Sequence, residues 1–419
     1  MKKLTVIGAG KLGLPMGACF AEANYKVKFY DSSKGKIENL SKHLGYNYEK
    51  GLNNLLYKNS KRIHFTSKIE DAFQFSNFFF VILPTPSLKN GNYSLIYIKS
   101  FLKKLCILLK KNPKEVNIVI TSTVMPGSCD NKLIPFIKKN LSKSLFQKIN
   151  LYYSPEFIAL GSVVNDLQRP RIVLVGSNNP KKASALSNFY KSIIKNKPKV
   201  FETNLKTAEL AKILINSFMT VKISFSNYVG LLSNNDKDLD SKKLLESLKI
   251  FNLNNSKGYL SGVGYSGPCL PRDNRSVAFY SSSKKIHPFL SNSADKVNKE
   301  VNNNLYIQIK KYSKDCKNIA FLGISYKEQT SVIEESPMLY IIHKLKKNFN
   351  IIIYDPLVHN ESNISRSFNF NKNLKNVIEE SDLLVIYHKS INLDKYKNIL
   401  KYKKIFHVWG NRFSIGLID

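Results

Sequence analysis

The sequence predicts an α/β protein built from two doubly wound, parallel-sheet domains joined by a long central helix. Three observations carry that expectation. Residues 1–200 alternate short apolar runs with longer amphipathic ones, residues 205–233 keep helical spacing without a proline, and a second, shorter alternation begins near Lys317. Strands that alternate with helices form parallel sheets covered on both faces.

In the first region the strands are "LTVIGAG" (4–10), "KVKFYD" (26–31), "FFFVILPTP" (78–86) and "VNIVITST" (116–123), and "INLYYSPEF" and "RIVLVGS" extend it to about residue 200. From Leu205 neither glycine nor proline interrupts the chain before Gly230, and apolar residues recur at three and four, as one long helix requires. Helical segments continue to about 248 and again from about 274 to 312, with "GVGYSGPCLPRD" (262–273) as the loop between them. In the last region "NIAFLGISYK", "NIIIYDP", "SDLLVIY" and "KKIFHVW" read as strands and "SPMLYIIHKLKKN" as a helix. The expected domains are 1–200, 201–312 and 313–419.

A chain of 419 residues exceeds a single core, in line with several domains. Its apolar runs, "FFFVIL" the longest kind, are too short to span a bilayer. The first twenty residues could pass for a secretory signal, but Lys11 breaks the apolar stretch, so a cytoplasmic protein is expected. Five scattered cysteines with no CxxC pair fit a reducing compartment, and no Cys/His cluster has zinc spacing. The net charge of +35 is spread along the whole chain, with no basic arm, RNA-binding aromatic motif or zinc finger. It therefore marks either a biased surface or a field that draws anionic substrates, and no nucleic-acid partner is expected.

"GAGKLG" sets Gly8, Gly10 and Gly13 in the G-x-G-x-x-G order between a strand and a helix, with Asp31 at the end of the next strand. The first glycine permits the tight turn, the second lets backbone approach a pyrophosphate, and the third allows close helix–sheet packing. This is the Rossmann-like dinucleotide pattern. Asp31 would accept from a ribose diol and repel a 2′-phosphate, favouring NAD, while Lys34 and Lys36 keep NADP open. Lys11, Leu12, Thr85 in "LPTP" and Thr123 in "TSTVMPG" complete the candidate cofactor set, because open sheets bind ligands at their C-terminal edge. Read alone, each threonine is more readily a turn or cap residue than a ligand contact. Glu156 in "SPEF" follows an apolar strand and reads as either inward-facing or solvated. Lys212 and Asn216 share a helix face and could stabilise an oxyanion, or form an amphipathic edge; Lys206 and Glu209 lie at a different angle.

Cys269 sits where a thiol can be activated. Arg272 follows by three residues and a helix is expected near Asp273, and both lower a thiol pKa. Gly262, Gly264 and Gly267 let backbone N–H groups approach a ligand. A nucleophile and a structural loop cysteine both fit these residues. Cys19 and Cys106 read as core, and Cys129 and Cys316 have no evident partner.

Seven motifs in order give the chain a resemblance to the UDP-glucose/GDP-mannose dehydrogenase family: "IGAGKLGLPMG", "LPTP", "TSTVMPG", "SPEFIALGSVVNDLQRPRIVLVG", "AELAKILINSF", "GYSGPCLPRD" and "FLGISYKEQTSVIEESP". The resemblance implies an NAD-binding domain, a long helix at a homodimer core, and a C-terminal domain for the nucleotide diphosphate. It implies NAD-dependent four-electron oxidation of a nucleotide-sugar C6 alcohol to a carboxylate through a cysteine thiohemiacetal and thioester. UDP-glucose is the leading substrate, with GDP-mannose or a UDP-N-acetylhexosamine as alternatives; a reduced-activity NAD- and nucleotide-binding homologue is the reading from another class. Carried over, Cys269 is the nucleophile, Lys212 and Asn216 the oxyanion pair, Asp273 the acid/base-side carboxylate, Thr123 the hydroxyl on the water, and Glu156 the glutamate of the PEF motif. Phe157, Tyr259, Gly264, Lys327 and Arg412 join Glu156, Lys212 and Asn216 as substrate contacts. Four departures stand out. Leu160 replaces a second glutamate, Arg272 a lysine, Ser331, Val332 and Glu334 an acidic pair and arginine, and "WGNR" lacks the usual aspartate.

Overall fold

Successive side chains along the strand Lys3–Ile7 point to opposite sides of a sheet. Leu4 and Val6 join one apolar cluster with Leu14, Phe29 and Phe80, and Ile7 joins another with Phe79, Val81 and Ile118. Both faces of this sheet are therefore covered, which is why its strands are continuous apolar runs rather than alternating ones. The structure, a computed structural model, describes residues 2–42, 49–236, 238–251, 260–358, 368–409 and 412–416. It divides into two units, residues 1–213 and 214–419.

The first unit carries an eight-stranded sheet of order β3-β2-β1-β4-β5-β6-β7-β8. The strands are β1 Lys3–Ile7, β2 Lys26–Tyr30, β3 Ile63–Thr66, β4 Phe78–Val81, β5 Val116–Ile120, β6 Ile149–Tyr153, β7 Ile172–Gly176 and β8 Lys199–Thr203. Strand order reverses between β1 and β4, and that switch point opens a crevice at the C-terminal edge. Sequence periodicity missed the two edge strands β3 and β8, whose apolar runs are broken by polar or charged residues. The sheet is also not uniformly parallel: β7 meets β6 antiparallel through Tyr153 and Gly176, then pairs in parallel with β8.

The second unit carries a six-stranded sheet of order β11-β10-β9-β12-β13-β14. These are β9 Asn318–Leu322, β10 Asn350–Tyr354, β11 Asn369–Phe370, β12 Leu383–Ile386, β13 Lys404–His407 and β14 Arg412–Ile415. β14 runs antiparallel to β13. The helix Pro337–Leu345 begins as its sequence directs, with Ser336 as N-cap accepting from the Leu339 N–H and proline at the first position.

The long helix spans Leu205–Asn235 and runs straight through Gly230. A Cβ there would press on the Ser261 side chain at 2.7 Å, so the glycine admits the chain that leads into the cysteine loop. The next helices are Ser241–Phe251, Leu270–Ser283 and Phe289–Tyr312. The second of these, Leu270–Ser283, starts three residues earlier than the sequence indicated, which makes Cys269 its N-cap. Among the described residues, no helix is long and apolar enough to cross a membrane.

Candidate active site

At the switch point of the first unit, the glycine turn has the shape its three positions require. Gly8 takes a φ of 103°, and a Cβ there would strike the Ile82 carbonyl; one on Gly13 would strike the Gly8 carbonyl. Gly10 instead faces open space, with nothing within 4 Å of an added Cβ. A pyrophosphate placed there would meet bare backbone at the start of the helix Gly13–Glu22. Lys11 is exposed and Leu12 half-buried at the same turn.

Asp31 ends β2 beside this turn. Its carboxylate accepts from the Ala9 N–H (3.1 Å), the Ser33 N–H (3.1 Å) and Lys36 Nζ (2.8 Å). Burial pushes its pKa up, but the Lys36 and backbone hydrogen bonds outweigh it and hold the carboxyl below the usual range. The group is thus an anion at neutral pH, able to accept from a ribose diol. Lys36 is committed to that carboxylate, and its charge supports the acid.

The second sheet has an equivalent aspartate with the opposite outcome. Asp355, after β10, accepts from the N–H groups of Ile324 (2.9 Å), Ser325 (3.1 Å), Leu357 (3.0 Å) and Val358 (3.1 Å). Gly323 follows β9 as Gly8 follows β1, with a φ of 87°, and packs against the His388 ring, while Ser325 stands where the first unit has Gly10. Four backbone donors engage the Asp355 carboxylate and a serine replaces the open glycine, so this sheet keeps the Rossmann-like form without the glycine pattern of the first. Ser325, His388 and Asp355 also mimic a hydrolase triad in composition. However, the His388 Nδ1–Asp355 separation is 3.8 Å and all three side chains are buried, so no substrate reaches them.

Three loops at the C-terminal edge of the first sheet are stitched together. Thr85 Oγ1 donates to the Thr123 carbonyl at 2.7 Å, joining "LPTP" to "TSTVMPG". Glu209, fully buried on the long helix, accepts from the Cys129 N–H (2.7 Å) and from the Gly127 N–H. Sequence reasoning set Glu209 aside for its helical angle, yet that angle aims it at the Thr123 loop. A lone glutamate in an apolar helix segment was the available signal. Glu49 likewise holds the "SPEF" loop, accepting from the N–H groups of Gly161 (2.9 Å) and Val163 (2.8 Å).

Lys212 Nζ donates to the Glu156 carbonyl at 2.7 Å and lies 5.0 Å from the centre of the Phe157 ring. Glu156 is half-buried. Burial pushes its carboxyl up to about 7, against the pull of Lys212. A carboxyl balanced near neutrality can both take and give a proton at working pH. Leu160, four residues on, is half-buried and brings no second carboxylate to this loop.

In the second unit Cys269 is the exposed member of five free cysteines; the other four are buried. Burial pushes Cys19 up to about 12 and Cys106 to about 11, which leaves them inert thiols. Cys269 caps the helix Leu270–Ser283, whose positive end favours a thiolate. Arg272 contributes differently from the sequence expectation: its Nε pairs with Asp273 at 3.0 Å. Asp273 is fully buried and also accepts from the Asn216 amide at 2.6 Å. The structure thus joins Asn216 to Asp273, and Lys212 to the Glu156 loop.

The cysteine loop is held from both sides. Asn227 on the long helix accepts from the Gly262 N–H (2.9 Å) and donates to the Val263 carbonyl (2.8 Å). Gly264 N–H donates to Asn302, and Gly267 packs under the Tyr326 ring of "SYK". Gly267 N–H also donates to the Glu334 carbonyl (3.0 Å), and Tyr326 N–H to that of Val332 (2.8 Å). The altered segment 331–334 therefore supports the cysteine loop with backbone atoms, which a change of side chain leaves intact. Lys327 follows Tyr326 directly and is half-buried. Tyr259 lies outside the described residues, and of Arg412 only the backbone, in β14, is described.

A pyrophosphate-shaped glycine turn with an anionic ribose acceptor, together with an exposed thiol at a helix N-terminus, defines an NAD-binding dehydrogenase of α/β fold. Three family models match in succession: the NAD binding domain over residues 2–194, the central domain over 206–300 and the UDP binding domain over 320–412. The chain belongs to the UDP-glucose/GDP-mannose dehydrogenase family and is an NAD-dependent oxidoreductase. It is 32% identical to a UDP-glucose 6-dehydrogenase of Rickettsia prowazekii over 84% of this chain and 81% of that one. A GDP-mannose 6-dehydrogenase of Pseudomonas putida is 25% identical, with 92% and 90% covered. In fold it matches a UDP-glucose dehydrogenase from Pyrobaculum islandicum, with a TM-score of 0.86 at 21% identity, covering 98% of this chain and 94% of the other.

Proposed function

We propose that this protein oxidises the C6 alcohol of UDP-glucose to the carboxylate, giving UDP-glucuronate, with a covalent thioester on Cys269 as the second-stage intermediate. The observation that carries the reading is the state of Cys269: an exposed thiol at the N-cap position of a helix, beside the buried Asp273 and its partner Asn216. The 32% identity to a UDP-glucose 6-dehydrogenase favours that sugar over GDP-mannose.

NAD, when bound at the Gly8–Gly13 turn beside Asp31, supplies the hydride acceptor for each of two oxidations. The remaining work belongs to the chain. Cys269 Sγ adds to the carbon of the intermediate aldehyde, and the carbonyl pair becomes an alkoxide that a cation or amide N–H stabilises, the role given to Lys212 and Asn216. Loss of the second hydride leaves a thioester. Water then attacks, its proton passing to Glu156, and the carbon–sulfur bond breaks to release the acid and the thiolate. Thr123 orients that water. Lys327, Arg412, Phe157, Tyr259 and Gly264 bind the nucleotide sugar.

The test is stoichiometry. Purified protein with NAD and UDP-glucose is expected to release two NADH per sugar consumed, and GDP-mannose to be a poor substrate. Turnover of GDP-mannose alone would overturn the sugar assignment, and binding without turnover of any nucleotide sugar would overturn the enzymatic one.

The long helix supports a homodimer. Phe218, Phe225 and Leu232 recur every seven residues, and with Tyr228 they are 46–63% exposed. This apolar stripe suits the same helix of a second copy. The double variant Phe218→Glu/Phe225→Glu is expected to sediment as a monomer while the parent sediments as a dimer. A monomeric parent at micromolar concentration would refute the assignment. The free thiols suit the reducing cytoplasm.

A further inference from the structure

Two adjacent rungs join the start of the cysteine helix to the long helix. In the first, Asn216 donates to Asp273. In the second, Ser217 Oγ donates to Asn274 Oδ1 at 3.0 Å, and Thr220 Oγ1 lies 3.0 Å from the same oxygen, its proton shared with the Ser217 carbonyl at 2.6 Å. The other side of the Asn274 amide faces the helix Phe289–Tyr312. Its nitrogen donates to the Ser291 carbonyl (2.9 Å) and to Asp295 (3.2 Å), with the Tyr265 hydroxyl of the cysteine loop 3.4 Å away.

Asn274 is 1% exposed, so water cannot replace any of these partners. An amide has two acceptor lone pairs and two N–H donors, and here every one is engaged. No other residue of this size fits. Aspartate would lose both donors and set a second carboxylate against Asp295, and leucine would leave the buried Ser217 hydroxyl without its acceptor and remove both donors to the helix Phe289–Tyr312. The amide therefore ties together three helices and the loop, one residue from Asp273 and five from Cys269.

We propose that Asn274 is a positioning residue for the reaction: the second rung holds the helix start in register, and so sets where Cys269 Sγ and the Asp273 carboxylate stand relative to Asn216. This rests on Cys269 being the nucleophile.

The test uses the full-length protein with NAD and UDP-glucose. Asn274→Ala is expected to lower kcat for acid formation about 10- to 100-fold, as sub-ångström to ångström misplacement does, with NAD affinity unchanged. Alkylation of Cys269 by iodoacetamide, readable because the other cysteines are buried, is expected to slow severalfold at pH 7, with its midpoint moved upward as the thiol leaves the helix end. A purely structural role would lower the melting temperature without moving that midpoint. If Asn274→Ala does not fold, Ser217→Ala/Thr220→Val removes only the donors on the long helix and is read by the same two measurements. Parental kcat and parental alkylation in a folded variant would overturn the proposal. Acid formation that survives in Cys269→Ser would instead overturn the nucleophile on which it rests.

Discussion

Replacing Cys269 by serine is expected to abolish acid formation, a loss of roughly 10³-fold or more, as removal of a covalent nucleophile does. The first oxidation does not need the thiol, so one NADH and a trappable aldehyde should still appear. Titration of NAD should be unchanged, because the cradle at Gly8, Gly10 and Asp31 belongs to the other unit. The physical basis is the placement of the sulfur. Serine at a helix N-cap is well tolerated, often better than cysteine, so the variant should fold and melt close to the parent. The two readouts therefore separate chemistry from stability. A serine variant that forms UDP-glucuronate at the parental rate would mean the acid arises from a hydrated aldehyde, with no covalent stage.

The second large effect is at Glu156. Glu156→Gln removes the base and should slow thioester hydrolysis about 10²- to 10⁴-fold. The thioester should then accumulate on Cys269, visible as a burst of NADH and as added mass on the intact protein. Leu160, four residues on, supplies no carboxylate to take over, and the Glu49 and Asp166 carboxylates at this loop are engaged by its backbone N–H groups. In the parent, kcat should rise with pH through about 7, because only the deprotonated carboxylate accepts the proton from water. That limb should be missing in the variant.

The same residue makes a stability prediction of definite sign. A carboxyl whose folded pKa is raised holds its proton more tightly when folded. Its favourable contribution is complete below the unfolded value of 4.5 and is lost as pH rises through about 7. Glutamine imitates the protonated form at every pH. Glu156→Gln should accordingly be more stable than the parent above pH 7, by on the order of 2–3 kcal/mol, and equal to it below pH 4.5. Unfolding by urea at pH 4 and pH 8 tests this. Equal stability at pH 8 would mean the ionised carboxylate is well solvated or paired.

Much of the fold was legible because its signals are local. A glycine turn after an apolar strand, an uninterrupted helical period and apolar runs bounded by Pro and Gly each act within about ten residues. The strands that escaped, β3, β8, β11 and β14, hold charged or polar residues and lie at the sheet edges. Their identity as strands depends on a neighbour whose edge they complete. The start of the cysteine helix was misplaced because Pro271 reads as a breaker, although proline fits the first turn, where an N–H has no partner.

The site residues divide in the same way. Gly8, Gly10, Gly13, Asp31 and Cys269 can be named from the sequence because their chemistry depends on residue type and on the strand or helix end beside them. What each does to its neighbours cannot. Arg272 spends its charge on Asp273, Lys212 faces the Glu156 carbonyl, and Glu209, Glu49 and Asn274 hold segments that lie 17 to 114 residues away in the chain. Hydrogen-bond partners and the burial that lifts Glu156 to about 7 arise only when distant segments meet. The sequence by itself determined the fold class and the cofactor and singled out Cys269 as the candidate thiol, since these are encoded in short-range pattern. The tertiary structure alone decided which carboxylates are anchors and which one titrates, since that depends on what each is packed against.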